Sequence, residues 1–157
     1  MANTPMNLTE IVSLEQIIPK VSASDRWSLI GLLVDRLVRD GKIHPEDRET
    51  VLKAIKDREA TKCTGIGYGI ALPHASVNCI SDVVAIVARL DPPIDFQALD
   101  NQPVRLCVLF LTPQGQFQKH LHTLSALARF LSDKNRRDQL ENAKTAEEIL
   151  AVFRAAA

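Results

Sequence analysis

Two short runs, Val83-Val84-Ala85-Ile86-Val87-Ala88 and Leu106-Cys107-Val108-Leu109-Phe110-Leu111, restrict what this chain can fold into. Each is continuously apolar and β-prone, the pattern of a strand covered on both faces. Asp91-Pro92-Pro93 is expected to end the first strand and Pro113-Gln114-Gly115 the second. Such strands need helices above and below them, and the flanking sequence supplies candidates.

Upstream, Ser24-Asp25 suits the N-cap of a helix carrying Trp27, Ile30, Val34, Leu37 and Val38 at three-and-four spacing. Gly41 stands where a C′ residue belongs. Pro45, Glu46 and Asp47 open a second helix with Val51, Leu52 and Ile55 inward, expected to run to about Arg58. Ile11 to Ile18 alternates loosely and suggests a further strand. Downstream, a helix is expected from Phe117 to Leu131, with Phe117, Leu121, Leu124, Ala128 and Leu131 on one stripe. A short helix follows from Asn135 to Leu140. Thr145 and Glu148 then form a capping box for a last one that packs Ile149, Val152 and Phe153. Helices before, between and after buried strands predict an α/β layered domain. At 157 residues it can bury one core without staples, so a single domain over residues 8–155 is expected.

Bulk composition narrows the function. Lys and Arg balance Asp and Glu at 19 each, which argues against a nucleic-acid or membrane-surface partner. The basic cluster Lys134, Arg136 and Arg137 is too short for a phosphate-backbone track and reads as a solvated helix face. Cys63, Cys79 and Cys107 are odd in number and form no C-x-x-C pair, so they fit neither a disulfide framework nor a zinc site. No apolar run approaches the ~20 residues that span a bilayer. Met1 to Leu14 lacks the basic and apolar regions of a signal peptide. The expectation is a cytoplasmic protein without membrane insertion.

The segment Thr64-Gly65-Ile66-Gly67-Tyr68-Gly69-Ile70-Ala71-Leu72-Pro73-His74-Ala75 carries the chemistry. Its alternate glycines allow tight or positive-φ turns. Ile70 to Leu72 reads as a short strand, and Pro73 stiffens the turn that delivers His74. Neutral imidazole is a nucleophile at pH 7, and a phosphoryl group placed on it is labile enough to be passed on. The segment lacks the Lys-Ser/Thr of a P-loop and is no G-x-G-x-x-G fingerprint, so neither a nucleotide site nor any other cofactor is expected. Thr64 and Gly67 offer a hydroxyl and an amide N–H to a phosphoryl group, although glycine-rich turns often serve shape alone.

Two residues elsewhere are candidates to stabilise charge on such a group. Arg58 lies 16 residues before His74 at a helix end; on its own it reads better as a surface charge. His120 shares a helix side with Leu124, Leu127 and Leu131 in a first turn, where the helix dipole favours an anion; its bland role is to bond a carbonyl. His122 groups with Ser125 and Arg129 and faces solvent, His44 is a surface residue before Pro45, and Cys63 is a buried structural thiol. His120-x-His122 does not put two ligands on one helical face, so no metal site is expected.

The histidine segment resembles the phosphorylation site of phosphotransferase system enzyme IIA proteins of the fructose/mannitol family. Glu59, Ile66, Gly67, Ile70, Ala71, Leu72, Pro73, His74 and Ala75 fill every specified place of that family's pattern. The likeness runs from about Leu8 to Phe153 and includes Ile94 to Val104 before the second buried strand. It implies a mixed β-sheet with helices on both sides. It implies a phosphorylated His74 with His120 and Arg58 as active-site partners, and a histidine-containing phosphocarrier protein as donor. The lone domain and the Thr64-Gly65-Ile66-Gly67 run look most like the nitrogen-regulatory branch, whose partners are regulatory targets; the alternative is a sugar-specific component that passes phosphate to a IIB domain. Tyr68, Ala75 and Ser76 depart from the family's usual residues beside the site.

Overall fold

The computed structural model describes residues 8–61, 65–98 and 100–155. Single 3-10 turns, Leu8–Glu10 and Leu14–Gln16, lead into β1 (Ile17–Val21), followed by α1 (Arg26–Arg39) and α2 (Arg48–Thr61). Then come β2 (Gly65–Gly67), β3 (Ile70–Ala71), β4 (His74–Val77), β5 (Val84–Ile94) and β6 (Val104–Pro113). Helices α3 (Phe117–Ser132), α4 (Lys134–Asn142) and α5 (Ala146–Ala155) close the chain.

Among the described residues the sheet has six strands in the order β1-β5-β6-β3-β2, with β4 alongside β6 beyond the end of β3. It is mixed. β1 runs parallel to β5, β5 antiparallel to β6, β3 and β4 parallel to β6, and β2 antiparallel to β3. The two apolar runs are β5 and β6, paired with each other at the centre, and alternation assigns their side chains to two separate cores. Ile86, Cys107, Leu109 and Leu111 pack with Leu29, Leu33 and Ile55 of α1 and α2. Val87, Val108 and Phe110 pack with Leu127, Phe130 and Phe153 of α3 and α5. Helices thus cover both faces, as the continuous apolar runs require.

The helix ends follow local chemistry. The Asp25 carboxylate accepts from the Ser28 amide at 2.7 Å, and Gly41 takes φ 77° just past α1. There the Gly41 amide donates to Val38 O and the Lys42 amide to Leu37 O, which closes the last turn. The capping box holds, with the Glu148 amide donating to Thr145 Oγ1.

Four expectations need correction. The early strand starts only at Ile17, because Leu8 to Gln16 is taken up by the two 3-10 turns and the links between them. β5 continues through Asp91-Pro92-Pro93 to Ile94. Its ladder with β6 is interrupted between Arg89 and Ile94, so the prolines stand where no amide hydrogen is needed. α2 runs on to Thr61. The α3 stripe is rotated: Phe117 is 71% and Leu121 43% exposed, while Thr123, Leu127, Phe130 and Leu131 are buried. Two apolar stripes compete on that helix, and the one bearing Phe130 stacks on Phe153 at 4.6 Å and wins. No helix among the described residues is long and apolar enough to cross a membrane.

Candidate functional site

His74 is the first residue of β4, in register with Phe110 of β6. The sequence suggested a turn delivering it; instead the strand itself begins there, anchored one residue earlier where the Phe110 amide donates to the Pro73 carbonyl at 3.0 Å. Ser76 follows on the same face, in register with Thr112. The pairing therefore lines up His74, Ser76, Phe110 and Thr112 on the side of the sheet that α3 covers.

The His74 imidazole is 5% exposed and stacks on the Phe110 ring, centroids 5.0 Å apart and planes at 11°. Its Nδ1 lies 2.6 Å from the Leu72 carbonyl oxygen. A carbonyl only accepts, so Nδ1 carries the hydrogen and the neutral ring keeps its lone pair on Nε2. Burial pushes the pKa of His74 down to about 4; the Leu72 carbonyl works against that, and the charge of Arg58 and the neighbouring His120 add to it. At neutral pH the ring is uncharged, with Nδ1 committed to the Leu72 carbonyl and Nε2 without a hydrogen-bond partner among the described residues.

His120 comes in from the first turn of α3, its ring centroid 5.3 Å from that of His74. The Thr112 hydroxyl lies 2.8 Å from its Nδ1 and Ser76 Oγ lies 3.4 Å away, while Ser76 and Thr112 bond each other at 3.0 Å. Thr112 is wholly buried. A chain in which Ser76 donates to Thr112 and Thr112 to Nδ1 leaves the second nitrogen of His120 as a donor. Burial, then Arg58, depresses the His120 pKa also.

Arg58 reaches the site from the opposite layer. It sits in the last turn of α2, which packs against β4, and β4 is bonded only to β6 in the described sheet. Its charge acts on both imidazoles. Beside it, Glu59 is buried and pairs with Arg26 at 3.4 Å, which ties the end of α2 to α1.

The structure thus gathers His74, His120 and Arg58. It does not bring Gly67 to them. Gly67, φ 91°, pairs with Ile70 in the β2–β3 turn, where an added Cβ would meet the Asp100 carboxylate at 3.3 Å. That turn is about 13 Å along the sheet from His74, four residues at the strand rise. Thr64 and Cys63 lie outside the described residues. Tyr68 is not beside His74: it stands in the same distant turn, 70% exposed. His122 and His44 are exposed, and Ala75 points into the other core. Among the described residues no three His, Cys, Asp or Glu side chains are grouped to hold a metal.

Sequence reasoning missed Phe110 and Thr112, and noted Ser76 only as a departure from the family. Their period-two spacing was visible, but nothing local says that β4 lies against β6 with His74 opposite Phe110.

A buried neutral imidazole, a second imidazole 5.3 Å away and a guanidinium acting on both suit attack on an anionic electrophile. Comparison with known proteins agrees. Residues 10–156 match the family model described as phosphoenolpyruvate-dependent sugar phosphotransferase system, EIIA 2. The chain is 31% identical over 148 residues to a protein of Bradyrhizobium diazoefficiens named nitrogen regulatory protein, covering 94% of this chain and 95% of that one. It is 33% identical to a Haloferax volcanii protein named PTS system fructose-specific EIIA component, over 92% of this chain and 95% of its relative. The crystal structure of nitrogen regulatory protein IIA-Ntr from Neisseria meningitidis superposes with a TM-score of 0.85 at 28% identity, covering 93% and 98% of the two chains. The chain belongs to the phosphotransferase system EIIA type 2 family.

Proposed function

We propose that this chain, acting as one domain over residues 8–155, is a phosphoryl carrier that accepts phosphate on His74 Nε2 from a histidine-containing phosphocarrier protein, in a regulatory role of the nitrogen type. The observation that carries it is the bond from His74 Nδ1 to the Leu72 carbonyl, because it leaves the Nε2 lone pair free. That pair attacks phosphorus, the donor's N–P bond breaks and its electrons return to the donor imidazole. A new N–P bond forms on His74, and the Nδ1 hydrogen stays on the ring, donated to the Leu72 carbonyl, which helps disperse the charge that the ring acquires. Arg58 and the donor nitrogen of His120 stabilise the equatorial oxygens. Stacking on Phe110 holds the ring in line.

The test is intact mass after incubation with phosphoenolpyruvate and the purified phosphotransferase carriers. One acid-labile phosphoryl group on the wild type and none on His74→Ala supports the carrier role. An unmodified wild type would overturn it. A second reading, a sugar-specific component that hands phosphate to a IIB domain, is favoured by the similarity to the fructose-specific relative. Rapid transfer from the phosphorylated chain to a purified IIB domain would select that reading over the regulatory one.

A further inference from the structure

A second concave site lies on the same face of the sheet, at the other end of β6. The cleft, of about 550 Å³, runs between the Tyr68 turn, β5, β6 and α4. Leu106 lies in its wall, four residues before the Phe110 that carries His74, so the two sites are about 13 Å apart along the strand. Arg89, Arg105 and Arg137 line it, together with Tyr68, Leu106 and Leu140.

The cations are unequally satisfied. Arg105 is paired with Glu141. Arg89 gives an N–H of Nη1 to the Ala143 carbonyl, at the C-cap of α4. Arg137 Nη1 bonds the Leu131 and Ser132 carbonyls at the end of α3, and its guanidinium lies 4.1 Å over the Tyr68 ring. Among the described residues neither Arg89 nor Arg137 has a carboxylate partner, although both are half-buried. The carboxylates that line the cleft are already paired with other cations, Glu141 with Arg105 of the same wall and Asp91 with Lys20 at 3.7 Å. Helix-end carbonyls hold the two guanidiniums in place, but a guanidinium has five N–H donors and each of these uses one nitrogen. Two half-buried positive charges with only neutral partners beside an apolar wall form a receptor for an anion with a hydrophobic body.

We propose that the cleft bounded by Tyr68, Leu106, Leu140 and the arginines 89, 105 and 137 binds a small organic anion. Its carboxylate or phosphate head meets Arg89 and Arg137, and its apolar or planar body lies on Leu106 and Leu140. The site is separate from His74 and stands whether or not His74 carries phosphate.

The test uses the unphosphorylated full chain, with two-dimensional 15N–1H spectra followed during titration. The probes are phenyl phosphate, benzoate, inorganic phosphate and the neutral benzyl alcohol. Saturable shifts are expected at Tyr68 to Ile70, Arg89 to Asp91 and Arg137 to Asn142 with at least one aromatic anion. The better of the two anions identifies the head group. Arg137→Gln should weaken that binding about tenfold, the worth of one charge-assisted hydrogen bond. Should that variant misfold, Arg105→Gln, altered at an exposed side chain, should still weaken it severalfold. The proposal is overturned if no probe saturates at millimolar concentration, if benzyl alcohol or inorganic phosphate binds as well as the aromatic anions, or if the folded variants bind unchanged.

Discussion

Replacing His74 by Gln should flatten the acid side of this protein's stability curve. The buried ring titrates at about 4 in the fold, whereas an unfolded chain carries histidine near 6.5. Above about pH 7.5 the ring is essentially neutral in both states and contributes no pH dependence. As pH falls from 6.5 towards 4 the unfolded state binds the proton first, so stability is lost across that window. One pKa unit is about 1.36 kcal/mol, so between pH 7.5 and 4.5 the wild type should lose about 2–3 kcal/mol through His74 alone. His120 also titrates low, but it is present in both proteins and largely cancels in the difference. Urea unfolding at the two pH values would measure the effect, since a change in midpoint at constant slope reports stability. A His74→Gln variant whose loss matches the wild type within about 0.5 kcal/mol would refute burial as the cause of the low pKa, because linkage ties a shift of that size to stability. The same ring should accept phosphate at an undiminished rate from pH 8 to pH 6, where it stays neutral.

Further substitutions separate the roles assigned above. Leu127→Ala should cost about 2–5 kcal/mol of stability by opening a cavity under α3, whereas Phe117→Ser should leave the thermal midpoint unchanged; reversed effects would restore the stripe drawn from sequence alone. Glu59→Ala leaves Arg26 without its buried carboxylate at 3.4 Å and should cost about 3 kcal/mol in urea unfolding, and a loss under about 1 kcal/mol would remove this pair as the tie between α1 and α2. Thr112→Val removes the hydroxyl that orders His120 and should slow phosphorylation of His74 by about three- to tenfold, with Ser76→Ala doing less because its contact is longer. An unchanged rate in Thr112→Val would show that the His120 tautomer is set by other groups.

What the sequence determined by itself was local or periodic. The doubly covered strands, the Asp25 cap, the Gly41 terminus and the Thr145–Glu148 box depend on residues within a few positions of one another, and they stand in the structure. His74 was legible for the same reason, since its motif is contiguous. Long-range pairing decided the remainder. The position of Gly67 at the far end of the sheet and the alignment of Phe110 and Thr112 beneath His74 and Ser76 follow from which strand lies against β6 and in which register, and the choice between two apolar stripes on α3 follows from packing on Phe153. A slip of one residue in that register would send the His74 ring to the other core, and no property of the isolated segment resists such a slip. Burial then supplied what no motif encodes: a carbonyl 2.6 Å from Nδ1 that leaves the lone pair on Nε2, and the loss of solvent that keeps the ring uncharged. Sequence singled out His74; tertiary packing decided its tautomer, its charge and its neighbours, because those depend on atoms brought together from distant parts of the chain.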